Sequence, residues 1–187
     1  MDETLSIYAL GHSTRSFADL VELLRAHGVA TLADIRTIPR SRRNSQFNKE
    51  ALEAALPAEG IRYVHLPRLG GRRKGLGEGS PNTGWRNLSF RGYADYMQTP
   101  EFAAGLTELL AIAQAGPVAL MCAEAVPWRC HRSLVADALQ ARGIVVHHIQ
   151  SARRATPHRL TPFARIEGER VTYPEETTGE PGDSAVC

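Results

Sequence analysis

Five short apolar segments alternate with longer segments of helical periodicity along this chain. Their sequences are SIYALG, TLADIRTI, IRYVHL, PVALMC and IVVHHI, and the first begins at residue 6. Short apolar runs are typical of buried strands, and strands that alternate with helices favour parallel pairing through right-handed crossovers. The sequence therefore predicts an α/β fold, in which a single-domain open sheet of about five parallel or mostly parallel strands carries helices on both faces.

Local signals indicate where the helices begin. Ser16 is followed three residues later by Asp19, which predicts a capping box at the start of the first helix. Asn48 is expected to cap the second helix through its side chain. The helix after the fourth strand is expected to begin near Trp128 or Arg129, where a polar loop gives way to an apolar stripe.

The alternation weakens after Gln150. The segment ARIEGERVTYP predicts a small hairpin that turns at Glu167-Gly168. The C-terminal segment EETTGEPGDSAVC has little apolar content, which favours disorder. The expected organisation is an α/β domain over residues 1–150, an extension over residues 151–174 that packs on this domain, and a disordered tail over residues 175–187.

The composition argues against secretion and membrane insertion. No apolar run reaches the roughly 20 residues that a membrane-spanning helix needs. The N-terminal segment MDETLSIYAL lacks the basic start and the long apolar stretch of a signal peptide. Cys122, Cys130 and Cys187 form an odd set without the spacing of a disulfide framework. We therefore expect a reduced, cytoplasmic protein with no membrane partner.

Positive charge is concentrated in one part of the chain. The net charge is only +2, yet the segment from Arg36 to Arg91 holds ten arginines and two lysines against four glutamates. Such asymmetry creates a local field that attracts anions, although a basic solvated face would give the same count. An anionic small molecule or a nucleic acid is the partner that this charge favours.

Most of the chemically active side chains follow the predicted strands. In a parallel sheet all strands end at the same edge, and ligands of open α/β proteins bind there. The residues before the strands are chemically quiet by comparison. The residues that follow the first four strands include His12, then Arg36, Arg40, Arg42 and Arg43, then Arg72, Arg73 and Lys74, then Cys122, Glu124, Arg129, Cys130, His131 and Arg132.

The segment MCAEAVPWRCHR, residues 121–132, is the densest of these sets. It links a strand to a helix, and the amide groups and dipole of a helix N-terminus favour an anion or a thiolate. The hypothesis is an anion pocket with an activated cysteine. Its candidate catalytic residues are Cys122, Glu124 and His12, and its candidate substrate-binding residues are Arg36, Arg40, Arg129, Cys130, His131 and Arg132.

Structural roles remain open for several of these residues. Cys130 fits the apolar face of the following helix, as free cysteines commonly do. Glu124 could orient arginines in an ion pair instead of moving protons. Trp128 is expected to act as a packing residue, with base stacking as the alternative.

No metal and no cofactor are expected. Cysteine and histidine suit zinc, but the chain contains no C-x-x-C pair, and Cys130 and His131 are adjacent, which is awkward for chelation of one ion. The glycine-rich segment GGRRKGLGEG does not lie between the first strand and its helix, where a dinucleotide-binding loop would be found.

Several segments resemble one known family. GHSTRSFADLVELL, DIRTIPRSR, HLPRLGG, CAEAVPWRCHRSLVADAL and HRLTPFARIEGERVTYP are similar, in this order from about His12 to Tyr173, to the family called domain of unknown function 488. The resemblance implies one compact α/β domain and implies no reaction. The strand–Cys–loop–Arg–helix order is also similar to that of tyrosine phosphatases and rhodaneses. Six residues, not the phosphatase five, separate Cys122 from Arg129.

Two function classes follow from these patterns. In the first, the protein is an enzyme that acts on a phosphorylated or otherwise anionic substrate, as a Cys/Arg-dependent hydrolase or transferase. In the second, it is a non-catalytic nucleic-acid-binding protein, whose basic segment tracks phosphates while Trp85, Phe90 or Tyr93 stack on bases. The basic residues assigned to this alternative are Arg42, Arg43, Arg72, Arg73 and Lys74.

Overall fold

The computed structural model describes residues 5–176, whose main feature is a mostly parallel six-stranded sheet. The strands are β1 (Ile7–Gly11), β2 (Thr31–Asp34), β3 (Arg62–His65), β4 (Val118–Cys122), β5 (Val146–Ser151) and β6 (Arg154–Pro157). Their order in the sheet is β3-β2-β4-β1-β5-β6. The first five strands run parallel, and β6 pairs antiparallel with β5. The predicted fold class is confirmed, and β6 is a strand that the sequence did not predict.

Helices cover both faces of the sheet. Because side chains alternate along a strand, β4 sends Ala119 and Met121 to one core and Val118, Leu120 and Cys122 to the other. The helices are α1 (Phe17–Ala26), α2 (Lys49–Ala55), α3 (Leu88–Tyr96), α4 (Pro100–Ala115) and α5 (Arg132–Gln140). The first core receives α1 and α2, and the second receives α3, α4 and α5.

The helix starts follow the sequence signals only in part. At α1 the Ser16 hydroxyl accepts from the Asp19 amide at 3.1 Å, and the Asp19 carboxylate accepts from the Ser16 amide at 3.3 Å, as a capping box requires. Asn48 occupies the N-cap position of α2 but makes no capping bond. Its Oδ1 atom accepts from the Ser41 amide at 2.7 Å, so it holds the basic loop instead.

The helix after β4 begins later than the sequence indicated. Residues Pro127–Arg129 form a short 3₁₀ turn, and Cys130 then adopts an extended conformation that separates this turn from α5. The helix therefore starts at Arg132 and not near Trp128 or Arg129. This offset brings the Cys130 sulfur to the start of α5, where it accepts from the Arg132 amide at 3.5 Å.

The predicted C-terminal hairpin is present as β7 (Arg165–Glu167) and β8 (Arg170–Thr172). Gly168 provides the left-handed conformation that its turn requires, with φ of 63°. The predicted disordered tail falls, from residue 177 onward, outside the described residues. Within residues 5–176, no helix is long and apolar enough to cross a membrane.

A buried carboxylate on α5 holds the segment after β5. The Asp137 carboxylate is fully buried. It accepts hydrogen bonds from His158 Nε2 at 2.7 Å, from the Thr161 amide at 3.1 Å, from the Thr161 hydroxyl at 2.7 Å and from the Tyr173 hydroxyl at 2.7 Å. Four donors from three residues therefore converge on one side chain.

A second buried carboxylate orders the long glycine-rich loop before α3. Asp95 accepts from the Leu76 amide at 2.8 Å, from the Ser80 hydroxyl at 2.6 Å and from the Asn82 side chain at 2.7 Å. The Asn82 side-chain oxygen Oδ1 in turn accepts from the Tyr173 amide at 2.9 Å. These bonds explain how a segment without helical or strand periodicity keeps a defined path.

Candidate active site

An open cleft of about 850 Å³ lies at the carboxyl ends of the parallel strands. Strand β4 lies between β1 and β2, so the segments that follow these three strands meet there. Arg132, which is also a candidate substrate-binding residue, is buried beneath the loop after β4 and does not line the cleft. The eight candidate residues that line the cleft are His12, Arg36, Arg40, Cys122, Glu124, Arg129, Cys130 and His131.

The backbone continues the pairing of β1 and β4 into the cleft. The His12 amide donates to the Cys122 carbonyl at 2.9 Å, and the Ser13 amide donates to the Ala123 carbonyl at 3.0 Å. Ser13 has a left-handed conformation, with φ of 48°, which is uncommon for a residue other than glycine. The ends of these two strands are therefore fixed relative to each other, and this fixes His12 beside Cys122.

Gly11 allows the loop after β4 to fold back over β1. A β-carbon at this position would overlap the Glu124 carbonyl group and would lie 2.8 Å from Arg132 Nη1. Because the first obstacle is backbone, it cannot move aside as a flexible side chain could. Only glycine fits here without displacing the loop that carries the candidate residues.

We therefore expect Gly11→Ala to lower the free energy of unfolding by about 3 kcal/mol, near the upper end of ordinary overpacking costs. Urea denaturation followed by circular dichroism measures this change. Gly79→Ala is the matched control, since a β-carbon at residue 79 meets no atom within 4 Å, and a change within about 1 kcal/mol is expected. Equal stability of the two variants would contradict the packing of the loop against β1.

Arg132 connects the loop to the Cys122 sulfur. Its Nη1 atom donates to Cys122 Sγ at 2.8 Å and to the Glu124 carbonyl at 2.6 Å, and Nη2 donates to the Ala125 carbonyl at 2.8 Å. The side chain is 1% exposed. A buried guanidinium so engaged serves as a fixed charge beside the sulfur and not as a mobile substrate ligand.

This environment favours the thiolate of Cys122. Burial raises the pKa of the thiol, but the adjacent Cys130 thiol, the Arg132 guanidinium and the Glu124 backbone together lower it from 9.0 to about 7. The pKa of Cys130 is raised, because the neighbouring Cys122 and burial both disfavour a second negative charge. Of the two thiols, Cys122 is the one that ionises near neutral pH.

His12 is held by hydrogen bonds at both ring nitrogens. Nδ1 faces the Ser13 carbonyl at 2.8 Å, and because a carbonyl can only accept, Nδ1 carries the proton. Nε2 then accepts from Arg36 Nη1 at 3.3 Å, and the ring stacks on Phe47 with 4.5 Å between centroids. Burial lowers the pKa of His12, so the ring is neutral at pH 7.

Arg36 is bound to a carboxylate that sequence reasoning did not single out. Its Nε and Nη2 atoms donate to the two oxygens of Asp34 at 2.9 and 2.7 Å, and Nη2 also donates to the Phe47 carbonyl at 2.6 Å. Asp34 accepts a further bond from the Tyr63 hydroxyl at 2.6 Å. The buried charge of Arg36 is therefore paired, and its role in the cleft wall is to hold His12.

His131 braces the opposite side of the cleft. Its Nε2 atom donates to the Ile35 carbonyl at 2.8 Å, and Nδ1 lies 3.7 Å from Cys130 Sγ. Burial lowers the pKa of His131 to about 4, so the ring is neutral at pH 7. The contact with Ile35 ties the start of α5 to the end of β2.

The cleft rim holds the exposed charges. Arg129, Glu124 and Arg40 are exposed. Arg40 forms an ion pair with Glu50, which is also exposed, and 3.0 Å separates the two charged groups. Exposed ion pairs of this kind contribute little to stability, so Arg40 can leave Glu50 and bind an anionic ligand at a small cost in free energy. Arg72 also lines the cleft.

Of the five residues assigned to nucleic-acid binding, Arg72 alone lines the cleft. Arg42, Arg43 and Lys74 are exposed but do not line the cleft. Arg73 is partly buried, donates to the carbonyls of Gly70 and Pro67 at 3.0 and 2.6 Å, and lies 3.9 Å above the Tyr96 ring. Its guanidinium is therefore engaged within the fold.

The expected packing role of Trp128 is wrong, because its side chain is 71% exposed. The 3₁₀ turn at Pro127–Arg129 directs the indole away from the core. Within residues 5–176 there is no group of three or more side chains arranged to hold a metal ion.

Comparison with protein families matches residues 16–139 to the family described as Domain of unknown function DUF488. The chain belongs to the DUF488 family. No curated protein and no solved structure gave a match. The matched DUF488 region includes the cleft residues from β2 to α5, while His12 precedes it.

The chemical capacity of this DUF488 cleft lies in an ionisable sulfur surrounded by cationic groups. A thiolate can attack an electrophilic centre, and guanidinium groups can bind oxyanions with two N–H donors each. The buried imidazole rings are neutral and hydrogen-bonded, so they orient the walls of the cleft.

Proposed function

We propose that the protein is an enzyme that binds a phosphorylated or similarly anionic substrate in the cleft and attacks it with the Cys122 thiolate. The observation that carries this proposal is that Cys122 lines the cleft with 2% of its surface exposed, and that its Sγ atom lies 2.8 Å from Arg132 Nη1. A structural cysteine does not need a buried cation at this distance. A nucleophilic cysteine does, since only the thiolate attacks.

The exposed rim supplies the binding groups in this proposal. Arg40, Arg72 and Arg129 line the cleft without being buried. Their guanidinium groups bind the anionic oxygens of the substrate and turn its electrophilic centre toward Cys122. Arg132 remains beneath the loop and stabilises the sulfur, so binding and activation are assigned to different arginines.

The reaction has two steps. The sulfur of Cys122 forms a bond to the electrophilic centre, and the bond to the leaving group breaks. The leaving group departs as an anion and takes a proton from solvent. Glu124 lines the cleft and is exposed, and within residues 5–176 its carboxylate makes no hydrogen bond or ion pair, so it is the group that can take a proton in the second step. In the second step water or the hydroxyl group of a second substrate gives its proton to Glu124 and bonds to the same centre. The bond to sulfur breaks and returns the Cys122 thiolate, which makes the protein a hydrolase or a transferase.

The test measures release of p-nitrophenol from p-nitrophenyl phosphate and p-nitrophenyl sulfate. Cys122→Ser is expected to reduce kcat/KM on the order of a thousandfold, because an alcohol is a far weaker nucleophile than a thiolate at neutral pH. Cys130→Ser is the matched control on the neighbouring sulfur, and it is expected to keep most of the activity. A Cys122→Ser variant as active as the wild type would refute the covalent role of this residue.

A further inference from the structure

The two cysteines of the cleft wall lie next to each other and bond the same arginine. Cys122 and Cys130 line one cleft, and the Cys130 thiol donates a hydrogen bond to the Cys122 sulfur. Arg132 bonds both sulfur atoms, since its Nη1 atom donates to Cys122 Sγ at 2.8 Å and its backbone amide donates to Cys130 Sγ at 3.5 Å. Two sulfur atoms held in this way are the starting arrangement for a disulfide bond.

Both cysteines are free thiols that the fold shields from large partners. Cys122 is 2% exposed and Cys130 is 5% exposed. Their sulfur atoms are therefore poorly accessible to another protein, whereas a molecule as small as hydrogen peroxide can enter the open cleft that both residues line. Among the described residues, each of these sulfur atoms has the other as its nearest thiol partner, so the arrangement favours an internal disulfide over one between two molecules.

The two thiols differ in how readily they ionise. The pKa of Cys122 is about 7, and the thiolate is the form that peroxides oxidise. The pKa of Cys130 is raised by its hydrogen bond to Cys122, by burial and by the charge of Cys122. Cys122 is therefore the sulfur that reacts with a peroxide first, and Cys130 remains available as the second thiol.

Oxidation of Cys122 removes the main causes that keep Cys130 protonated. A sulfenic acid in its protonated form carries no negative charge, so the repulsion from Cys122 disappears. The guanidinium charge and the backbone amide of Arg132, which both lower the pKa of Cys130, then act on the remaining thiol. Reactivity therefore passes from the first sulfur to the second only after the first has been oxidised.

We propose that hydrogen peroxide converts Cys122 and Cys130 into a reversible disulfide, which makes the wall of the cleft a site of oxidative modification. The Cys122 thiolate attacks one peroxide oxygen, the O–O bond breaks, and the hydroxide that leaves takes a proton from solvent. Cys122 is then a sulfenic acid, oxidised by two electrons, and the peroxide is reduced. The Cys130 sulfur attacks the sulfenic sulfur, the S–O bond breaks, and the departing oxygen takes the Cys130 proton and leaves as water.

The modification is reversible and does not depend on the substrate assigned to the cleft. A dithiol such as dithiothreitol reduces the disulfide by exchange and becomes a cyclic disulfide itself. While Cys122 is bonded to Cys130 it holds no thiolate, so the oxidised protein should not react with iodoacetamide at this residue. Disulfides of this transient kind are the ones found in reducing compartments, where they sense oxidants.

Mass spectrometry of the full chain after treatment with hydrogen peroxide at pH 7 tests this proposal. The remaining thiols are blocked with iodoacetamide in denaturant before digestion with trypsin. Cleavage after Arg129 separates the two cysteines, so a disulfide between them appears as two linked peptides that dithiothreitol releases. We expect the Cys122–Cys130 link in most of the protein, and its absence would overturn the proposal.

Variants separate the internal disulfide from other oxidation. In Cys130→Ser the sulfenic acid has no thiol to resolve it, so dimedone, a reagent for sulfenic acids, should label Cys122 at least about tenfold more than in the wild type. Cys187→Ser removes the third cysteine of the chain and should leave the link unchanged. Equal dimedone labelling of the wild type and Cys130→Ser, or loss of the link in Cys187→Ser, would contradict the assigned pair. The assay uses no substrate, so an inactive protein that still forms the link would refute the proposed enzyme and leave the modification site in place.

Discussion

Asp137→Ala is expected to lower the free energy of unfolding by about 3–5 kcal/mol. The carboxylate is fully buried and accepts four hydrogen bonds from His158, Thr161 and Tyr173. Alanine would leave all four donors without partners in a site that water does not reach. The loss includes the attachment of the segment after β5 to α5, so the effect should exceed that of an ordinary core cavity.

Urea denaturation of the purified variants measures this change in the free energy of unfolding. Asp137→Asn is nearly isosteric but replaces one acceptor with a donor that faces existing donors, so it should also destabilise the fold strongly. Glu22→Ala, on the exposed face of α1, removes a carboxylate without buried partners and is expected to change stability by less than about 0.5 kcal/mol. If Asp137→Ala lowered the free energy of unfolding no more than Glu22→Ala, that result would contradict the buried hydrogen-bond network around Asp137.

Arg132→Met is expected to raise the pKa of Cys122 from about 7 toward its ordinary value of 9.0. The substitution keeps most of the side-chain length and removes the positive charge that lies 2.8 Å from the sulfur. Since the charge favours the thiolate, its loss shifts ionisation to higher pH. The Cys130 thiol and the Glu124 backbone still favour the thiolate in this variant, so at pH 7 the thiolate fraction should fall severalfold from about half.

Iodoacetamide alkylation of Cys122, followed by mass spectrometry over a pH series, measures this shift. Arg142→Met is the control near the other end of the same helix, because that guanidinium bonds the Ala138 carbonyl at 3.0 Å and does not contact Cys122. The control should keep the wild-type midpoint. An unchanged midpoint in Arg132→Met would mean that this guanidinium does not stabilise the thiolate.

The sheet and the location of the cleft follow from local patterns. Strand-length apolar runs and helical stripes are properties of neighbouring residues, and parallel strands place their carboxyl ends at one edge whatever the detailed packing. That is why His12, Arg36 and Cys122 could be expected near one another from the sequence, although their separation along the chain is large.

The roles of Arg132 and Trp128 depend on three-dimensional contacts that cannot be predicted from the sequence pattern. Nothing in the pattern around Arg132 distinguishes a buried guanidinium under a loop from an exposed ligand. The distinction depends on Gly11, far away in the chain, which gives the Glu124 carbonyl room. In the same way Trp128 is exposed because a 3₁₀ turn precedes the helix, which a helical pattern read from residue 128 onward cannot reveal.

Long-range polar networks were also outside what periodicity can predict. Asp137 and Tyr173 are 36 residues apart, and their 2.7 Å hydrogen bond forms only after the hairpin folds back toward α5. The pairing of Asp34 with Arg36 is easier to expect from the sequence, because these residues are only two positions apart. A carboxylate at the end of a buried strand, close to an arginine, is a pattern that favours a buried ion pair.

The claim that Cys122 is a thiolate in an anion-binding cleft is tested most directly by the pH dependence of its alkylation in the wild-type protein, measured with and without inorganic phosphate. The expected result is a midpoint near pH 7, with alkylation slowed by phosphate that occupies the cleft. A midpoint near pH 9, together with a rate that phosphate does not change, would contradict both the activated sulfur and the anion site.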